Sequence, residues 1–239
     1  MGVYAGPANA WSNFTDENRI DASTKVVVQD GLVLNLDAGA STSYPGSGTT
    51  WTDLSGNGNN ASMVGTPTFN SEGYFTFANS DQYFRIVDNP DFLFGTNNFT
   101  LSAWSWFNDT GINTPVWSIT SIGESFSDSN FQFRDGNFNR NTTTIVNQTL
   151  DSNTTNRWIN WCVTRIGNNY TLYNNGVSVS TGTDASNFTD NYYFKIASNR
   201  GSNNVLNGRI ANVLVYNGKG LTASEVEQNF NALRTRFGI

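Results

Sequence analysis

The chain has 239 residues, of which 37% are hydrophobic and 14% are aromatic, and its formal net charge is −6. This apolar content suffices for a buried core and excludes a disordered chain. The acidic balance argues against a nucleic-acid-binding protein, which needs a basic surface to displace counterions from phosphates. No apolar run is long enough for a transmembrane helix, and the N-terminus lacks the charge and apolar pattern of a signal peptide.

Residues 1–30 contain few periodic apolar residues, and Gly6-Pro7 interrupts them. We interpret this segment as an N-terminal arm or extension and residues 31–239 as the folded domain. Within that domain, short β-rich segments recur at the spacing expected of an antiparallel sandwich. The predicted strands are 31–38, 74–77, 83–87, 99–107, 116–122, 131–134, 142–146, 194–197 and 209–216.

A meander of three strands is predicted over residues 157–181. Its second turn contains Asn175-Gly176, a strong hairpin signal because both central residues of a type I′ turn need a positive φ. Apolar and polar residues alternate on both sides of this turn, so each strand is expected to bury one face. The residues expected on the buried faces are Ile159, Trp161, Val163, Val177 and Val179, and Cys162 is expected to be a small buried hydrophobe.

One segment, 221–238, has the pattern of a helix. Thr222 and Glu225 have the spacing of a capping box, which satisfies backbone N–H groups at a helix start. Val226, Phe230, Leu233 and Phe237 then recur on one helical face. The sequence therefore predicts a short terminal helix, 222–237, packed on an otherwise all-β body.

The chain has no histidine. This excludes Ser-His-Asp and Cys-His catalysis and the usual neutral-pH general base. A glycosidase needs only two carboxylates at a defined separation, but the five glutamates include no closely spaced pair on a predicted strand. The sequence thus predicts no catalytic residue and a protein that is not an enzyme.

The loop after residue 51 is the densest group of candidate calcium ligands. Asp53, Asn57 and Asn59 supply side-chain oxygens of the kind that calcium prefers. In the alternative interpretation, Asp53 caps a turn and the asparagines adopt left-handed backbone conformations around Gly56 and Gly58.

Two tryptophans on the predicted strand 99–107 are candidates for ligand binding. Alternation places Trp104 and Trp106 on the face opposite to Phe99, Leu101 and Phe107. If the phenylalanine face meets the opposing sheet, the tryptophans form the floor of a surface on which a sugar stacks. In the alternative interpretation, loops or the terminal helix cover both tryptophans.

Three blocks, 99–107, 157–183 and 194–226, together resemble the concanavalin A-like, laminin-G-like jelly-roll family. The last block contains the Gly-Arg-Ile-Ala strand at Gly208–Ala211 and the Leu-Thr-x-x-Glu-Val helix start at Leu221–Val226. The ends of the chain are similar to laminin-G-like proteins of tailed bacteriophages, which share the run from Asp30-Gly31 to WTDLSGNGN and the ending at 230–239. The segment Ala8–Lys25 departs from that pattern.

The resemblance implies a two-sheet antiparallel jelly-roll sandwich in a virion structural protein, as a capsid decoration, neck or tail-fibre component. Its expected partners are other virion proteins, with residues 1–30 as the anchor, and glycans; nucleic acid and membranes are not expected, and homo-oligomerisation is left open. Calcium is the only cofactor that the resemblance implies, because some laminin-G-like domains bind glycans with calcium. A purely structural decoration protein without glycan binding is the alternative, and a sandwich glycosidase is a third interpretation that the glutamate pattern disfavours. The expected location is the virion, after synthesis in a host cytoplasm.

Overall fold

The computed structural model describes residues 26–78, 81–87, 89–109, 114–121, 131–140, 143–188, 192–200 and 204–239. These residues form an almost entirely β structure with one α-helix near the C-terminus. None of their helices is long and apolar enough to cross a membrane. In chain order the strands are β1 (Leu32–Asp37), β2 (Thr50–Trp51), β3 (Ala61–Val64), β4 (Thr68–Asn70), β5 (Tyr74–Ala78), β6 (Tyr83–Ile86), β7 (Phe99–Phe107), β8 (Pro115–Ser121), β9 (Phe131–Arg134), β10 (Asn137–Arg140), β11 (Thr143–Asn147), β12 (Trp158–Ile166), β13 (Asn169–Asn174), β14 (Val177–Thr183), β15 (Tyr192–Ile196), β16 (Ser198–Arg200), β17 (Asn204–Val205) and β18 (Asn207–Asn217); helix α1 is Ala223–Leu233, and 3-10 turns cover Pro90–Phe92 and Arg234–Phe237.

Two antiparallel sheets form a sandwich. Sheet I has the order β14-β13-β12-β7-β18-β5-β4, and β1 also pairs with β18. The eleven residues of β18 allow both pairings, because residues 207–210 pair with β5 and residues 212–216 pair with β1. Sheet II has the order β11-β10-β9-β8-β15-β6-β3-β2, and β16 and β17 form a separate hairpin. The predicted two-sheet sandwich is confirmed.

The core lies between the inner faces of the two sheets. In β7, Phe99, Leu101 and Ala103 face this core, as the alternation predicts, and Phe194 and Ile196 of β15 face it from sheet II. Burying a large apolar side chain contributes about 1.5–3 kcal/mol each. The core therefore provides the main force that holds the sheets together.

Helix α1 covers the outer face of sheet I. Its predicted capping box is present, because Glu225 N donates to the Thr222 hydroxyl and Thr222 N donates to the Glu225 carboxylate at 2.8 Å. Val226 and Phe230 then pack onto the sheet. The 3-10 turn at Arg234–Phe237 extends this cover, and Gly238 ends it in a left-handed conformation.

The meander agrees with its prediction in the turn but not in every buried face. Asn175 and Gly176 have φ values of 51° and 80°, as a type I′ turn requires. Val177 and Val179 are exposed, at 66% and 40%, so their predicted burial is wrong. They lie on β14, the last strand of sheet I, in which every residue is exposed or half-buried.

The start of the described chain contacts the helix. Val28 N donates to Asn229 Oδ1 at 2.8 Å, and Gln228 Nε2 donates to Val26 O at 2.9 Å. Residues 1–25, most of the predicted arm, lie outside the described residues, so the interpretation of residues 1–30 as an attachment arm stays a prediction.

Candidate functional site

A row of large side chains crosses the outer face of sheet I near one end of its strands. Arg209 of β18 pairs with Trp106 of β7, and Trp106 pairs with Trp158 of β12. Because paired residues of adjacent strands project on the same side, the register brings the three side chains together. Tyr74 of β5 completes the group, since its ring centroid lies 5.4 Å from that of Trp158.

Arg209 supports the Trp106 indole. Its guanidinium carbon lies 4.6 Å from the Trp106 ring centroid and 5.1 Å from that of Tyr74, within the range of cation–π attraction. Gly208, the neighbour of Arg209, allows β18 to lie close to β7, because a Cβ there would be 2.0 Å from the backbone oxygen of Trp106. The strands thus fix both the position and the orientation of this indole.

The C-terminal turn adds the last aromatic wall. Phe237 lies with its ring centroid 4.1 Å from Trp104, stacked, and 4.9 Å from Trp158. Arg236 holds this turn in place by donating to Asp37 Oδ1 and to the backbone oxygen of Gly73. The end of the chain is therefore fastened to sheet I at the site.

These elements line an open pocket of about 360 Å³. Its aromatic walls are Trp106, Trp158 and Phe237, and the polar side chains at its edge are Asn156, Arg157 and Asn175. The volume lies in the range of small-molecule sites, about 300–1,000 Å³, and such sites combine apolar walls with a few polar groups. The composition of this aromatic pocket suits a ligand that has both apolar faces and hydroxyl groups.

Two asparagines at the pocket have fixed geometries. Asn156 adopts a positive φ of 54°, and its N–H donates to Phe107 O at 2.8 Å. Asn175 Oδ1 accepts from Asn160 N at 2.9 Å, which orients the amide. No described residue accepts from the Asn175 Nδ2, so this donor is available to a ligand.

The two predicted ligand-binding tryptophans have different environments. Trp104 has no exposed surface, because Phe230 and Phe237 stack over it with centroids at 5.6 and 4.1 Å. The position of Trp104 agrees with the alternative interpretation, in which the terminal helix covers it. A ligand at the surface therefore does not reach Trp104. Trp106 is partly exposed and lines the aromatic pocket.

Residues 77–227 match the sequence profile of the concanavalin A-like lectin/glucanases superfamily. The chain belongs to this superfamily. The match covers the strands from β6 to β18 and the first five residues of α1, which confirms the family predicted from the sequence. No curated protein matches this superfamily member in a sequence search.

Solved structures of similar fold include glycan-binding and glycosidase chains. Trypanosoma rangeli sialidase in complex with sialic acid matches with a TM-score of 0.62 at 14% identity, over 86% of this chain and 33% of the sialidase chain. Domain 4 of AbnA, a GH43 extracellular arabinanase from Geobacillus stearothermophilus in complex with arabinotriose, matches with a TM-score of 0.62 at 14% identity, over 83% and 97%. The binding domain of botulinum neurotoxin DC in complex with SialylT has a TM-score of 0.56 at 18% identity, over 86% and 52%. This superfamily member spans about a third of the length of the sialidase chains.

These comparisons correct two predictions from the sequence. The predicted role as a phage virion structural protein is wrong, because the structures reported above as similar include sialidase and arabinanase chains. The prediction that the protein is not an enzyme is overturned by the same glycosidase folds. The missing histidine and the glutamate spacing argue against particular catalytic mechanisms, but they do not exclude enzymes as a class.

In this superfamily member, hydrogen bonds hold the predicted calcium loop together and join it to β1. Asp53 Oδ1 accepts from the backbone N–H groups of Asn35 and Ser55, both at 2.9 Å, and Asp53 Oδ2 accepts from Asn59 N at 3.0 Å. Asn57 Nδ2 donates to Leu32 O at 3.0 Å. Positive φ values occur at Gly56 and Gly58 rather than at the asparagines. Nowhere in the described ranges do three acidic or cysteine side chains gather as a metal site would require.

The Asn59 side chain both donates and accepts hydrogen bonds in the same network. Its Nδ2 donates to Val33 O and to Asp91 Oδ2, at 2.8 and 2.7 Å, and its Oδ1 accepts from Asn89 Nδ2 at 2.6 Å. These contacts fit the turn-capping interpretation, and calcium binding at Asp53, Asn57 and Asn59 stays an untested prediction.

Cys162 is buried under the helix, and burial raises the pKa of its thiol well above the ordinary value. A neutral thiol is a poor nucleophile. This position fits the predicted small buried hydrophobe.

Sequence reasoning missed the partners of Trp106 in the pocket. Trp158 had a detectable signal, because it belongs to a predicted strand that alternates in the same manner as β7. The helical pattern predicts Phe237 on the packing face of the helix, but its place beside Trp158 depends on how the C-terminal turn meets the sheet. Asn156 precedes β12 in a loop with no pattern of its own, and Arg157, the first residue of the predicted meander, lies in the same loop.

Proposed function

We propose that this domain binds carbohydrate in the aromatic pocket. The observation that carries the proposal is the meeting of two partly exposed indoles, Trp106 and Trp158, at an open pocket of 360 Å³ with a polar edge. Sugar rings have apolar C–H faces and a rim of hydroxyl groups. Aromatic walls pack against the former, and amide and guanidinium groups bind the latter.

The residues of the pocket divide this work. Trp106, Trp158 and Phe237 offer apolar surface and exclude water from one side of the ligand. The Nδ2 donors of Asn175 and the guanidinium of Arg157 lie at the edge, where hydroxyl oxygens of a ring stacked on an indole accept hydrogen bonds. The fixed amide of Asn175 lowers the entropy lost on binding.

The similar structures support this class of ligand. The sialidase binds sialic acid, the arabinanase domain binds arabinotriose, and the neurotoxin binding domain binds SialylT, as their complexes state. At 14–18% identity these likenesses show the fold alone. The aromatic pocket of this chain is therefore the local argument, and the shared fold gives its context.

A glycan array followed by calorimetry tests the proposal. We expect the domain to bind one or a few oligosaccharides, and we expect Trp106→Ala and Arg157→Ala each to weaken that binding at least tenfold, or about 1.4 kcal/mol. Arg157 is exposed, so its truncation leaves the core intact. Leu54→Ala, an exposed apolar residue outside the pocket, is the matched control and should bind as the parent does.

The same oligosaccharides should be followed for cleavage by mass spectrometry, because glycosidase chains share this fold. Blank arrays contradict the proposal. Binding that persists unchanged in both pocket variants contradicts the assignment of the pocket, whether or not the sugar is cleaved.

A further inference from the structure

The three aromatic walls of the aromatic pocket are steeply inclined to one another. The rings of Trp106 and Trp158 have centroids 6.0 Å apart and planes at 73°, and those of Trp158 and Phe237 have centroids 4.9 Å apart and planes at 46°. Two rings that hold successive units of one flat sugar chain have to be nearly parallel. The walls therefore form a corner rather than a platform for an extended chain.

One face of the Trp106 indole is already occupied. The Arg209 guanidinium carbon lies over this ring, 4.6 Å from its centroid, and reaches it from β18. Trp158 approaches Trp106 from β12, the neighbour of β7 on the other side. A sugar that contacts both indoles therefore lies in the angle between them and stacks its flat face on only one.

The second wall of this corner meets the edge of the sugar. A sugar ring has C–H groups on its faces and mainly hydroxyl groups around its edge. A hydroxyl pressed against an aromatic ring loses its hydrogen bonds to water and gains no partner there, which costs free energy. A methyl group at the same position buries apolar surface against the ring, which is favourable. The corner therefore favours an edge that carries a methyl group.

The polar groups of the pocket suit the rest of the sugar edge. Asn175 Oδ1 accepts from Asn160 N at 2.9 Å, so the orientation of the amide is fixed and its Nδ2 is left as a donor. The guanidinium of Arg157 adds further donors. Hydroxyl oxygens and the carbonyl oxygen of an N-acetyl group are acceptors. The pocket thus combines donors for such oxygens with an apolar corner.

We propose that the aromatic pocket selects a sugar that carries a methyl group at its edge, as 6-deoxy sugars and N-acetylated amino sugars do. A face of the sugar stacks on one indole, and the methyl group packs against Phe237 and the other indole. This selection rests on the proposed function, because it concerns the sugar bound in the same pocket. One methylene in a hydrophobic pocket discriminates between ligands by about 10–200-fold, and an open pocket should act near the lower limit.

Calorimetry with three matched pairs of sugars tests the inference. Tri-N-acetylchitotriose is compared with cellotriose, methyl α-L-fucoside with methyl α-L-galactoside, and methyl α-L-rhamnoside with methyl α-L-mannoside. In each pair the first sugar has the methyl-bearing substituent where the second has a hydroxyl group. We expect the first sugar of at least one pair to bind at least tenfold more tightly than the second.

The outcome also separates this selection from carbohydrate binding itself. A difference below tenfold in all three pairs, or binding of none of the six sugars, overturns the inference. The proposed function then stands if the glycan array identifies another sugar that depends on Trp106 and Arg157, and it fails as well if the array is blank.

Variants assign the selection to the corner. Trp158→Leu removes one inclined wall, so we expect the affinities of the two sugars of the discriminated pair to come within about threefold of each other. Arg157→Ala removes a donor that both sugars use, so it should weaken both and preserve their ratio. Leu54→Ala, outside the pocket, should change neither affinity. A ratio that Trp158→Leu leaves unchanged overturns the assignment of the methyl group to the corner.

A measurement on the unaltered protein covers the case in which Trp158→Leu does not fold. The aromatic protons of the protein are saturated, and NMR measures the saturation that each proton of the tighter sugar receives. We expect the methyl protons to receive the largest share, because they lie between two aromatic walls. A smaller share than that of the ring protons overturns the inference and leaves carbohydrate binding in the pocket standing.

Discussion

The outer faces of the two sheets are both buried, but by different means. Sheet I is covered by helix α1 and the turn after it, through apolar contacts of Phe230 and Phe237 with Trp104. Sheet II keeps polar side chains on its outer face, and these bond to the β16–β17 hairpin. Burial of apolar surface contributes a large free energy and tolerates small changes in geometry. Each hydrogen bond contributes less to stability but fixes the relative orientation of its two groups. The difference predicts that truncating an apolar side chain under the cover of sheet I costs more stability than removing a hydrogen bond between sheet II and the hairpin.

The largest expected effect separates the two tryptophans of β7. Trp104→Ala removes a fully buried indole between sheet I and the helix, and we expect it to lower the free energy of unfolding by about 3–5 kcal/mol, as for other buried tryptophans. Trp106→Ala removes a partly exposed indole at the pocket and should cost clearly less. Urea unfolding monitored by circular dichroism measures both. Equal losses would contradict the division between structural and binding roles.

A smaller effect is expected on sheet II. Ser118→Ala deletes the hydroxyl that donates to Ser198 O and leaves that carbonyl without this bond, so we expect a loss of about 1–2 kcal/mol in urea unfolding. Ser62 lies in the same transverse register, paired with Arg85, but is exposed. Its alanine variant is the matched control and should stay within about 0.5 kcal/mol of the parent. If Ser118→Ala were equally harmless, the hairpin would not depend on the hydrogen bond from Ser118 to Ser198 O.

The sequence predicts the strands and the start of the helix better than it predicts which parts of the outer sheet faces are covered. Strands with clear alternation, such as β7 and β9, have the predicted bounds, and the Thr222–Glu225 box predicts the helix start. β10, whose sequence is NFNR, escapes prediction because one apolar residue shows no period. Alternation also cannot tell which outer face is covered. Asn160 and Thr164 alternate with the apolar residues of β12 and are nevertheless buried.

The candidate sites show the same contrast: the strand that carries a side chain is predictable, and what covers that side chain is not. Trp106 was identifiable because alternation places it on an outer face, but the exposure of Trp106 and the burial of Trp104 depend on where the terminal turn docks. The alignment of Lys195, Ser118 and Gln132 on sheet II is not predictable, because it arises from the register between β15, β8 and β9, which are distant in the chain. Register of this kind is set by long-range packing.

The smallest expected effect concerns the fastening of the helix over sheet I. Burial by itself would raise the pKa of the Glu225 carboxyl, but hydrogen bonds from Lys219 and Thr222 outweigh burial and lower this pKa below its usual value. A carboxyl with a lowered pKa stabilises the fold above its unfolded pKa of about 4.3, and this contribution is lost as the pH falls through the lower folded value. Glu225→Gln should therefore cost less than about 1 kcal/mol at pH 7, since the pair with Lys219 is partly exposed. The difference between parent and variant in urea unfolding should shrink as the pH falls below about 4. A difference that is unchanged at low pH would show that the capping geometry, rather than the charge, holds the helix on the sheet.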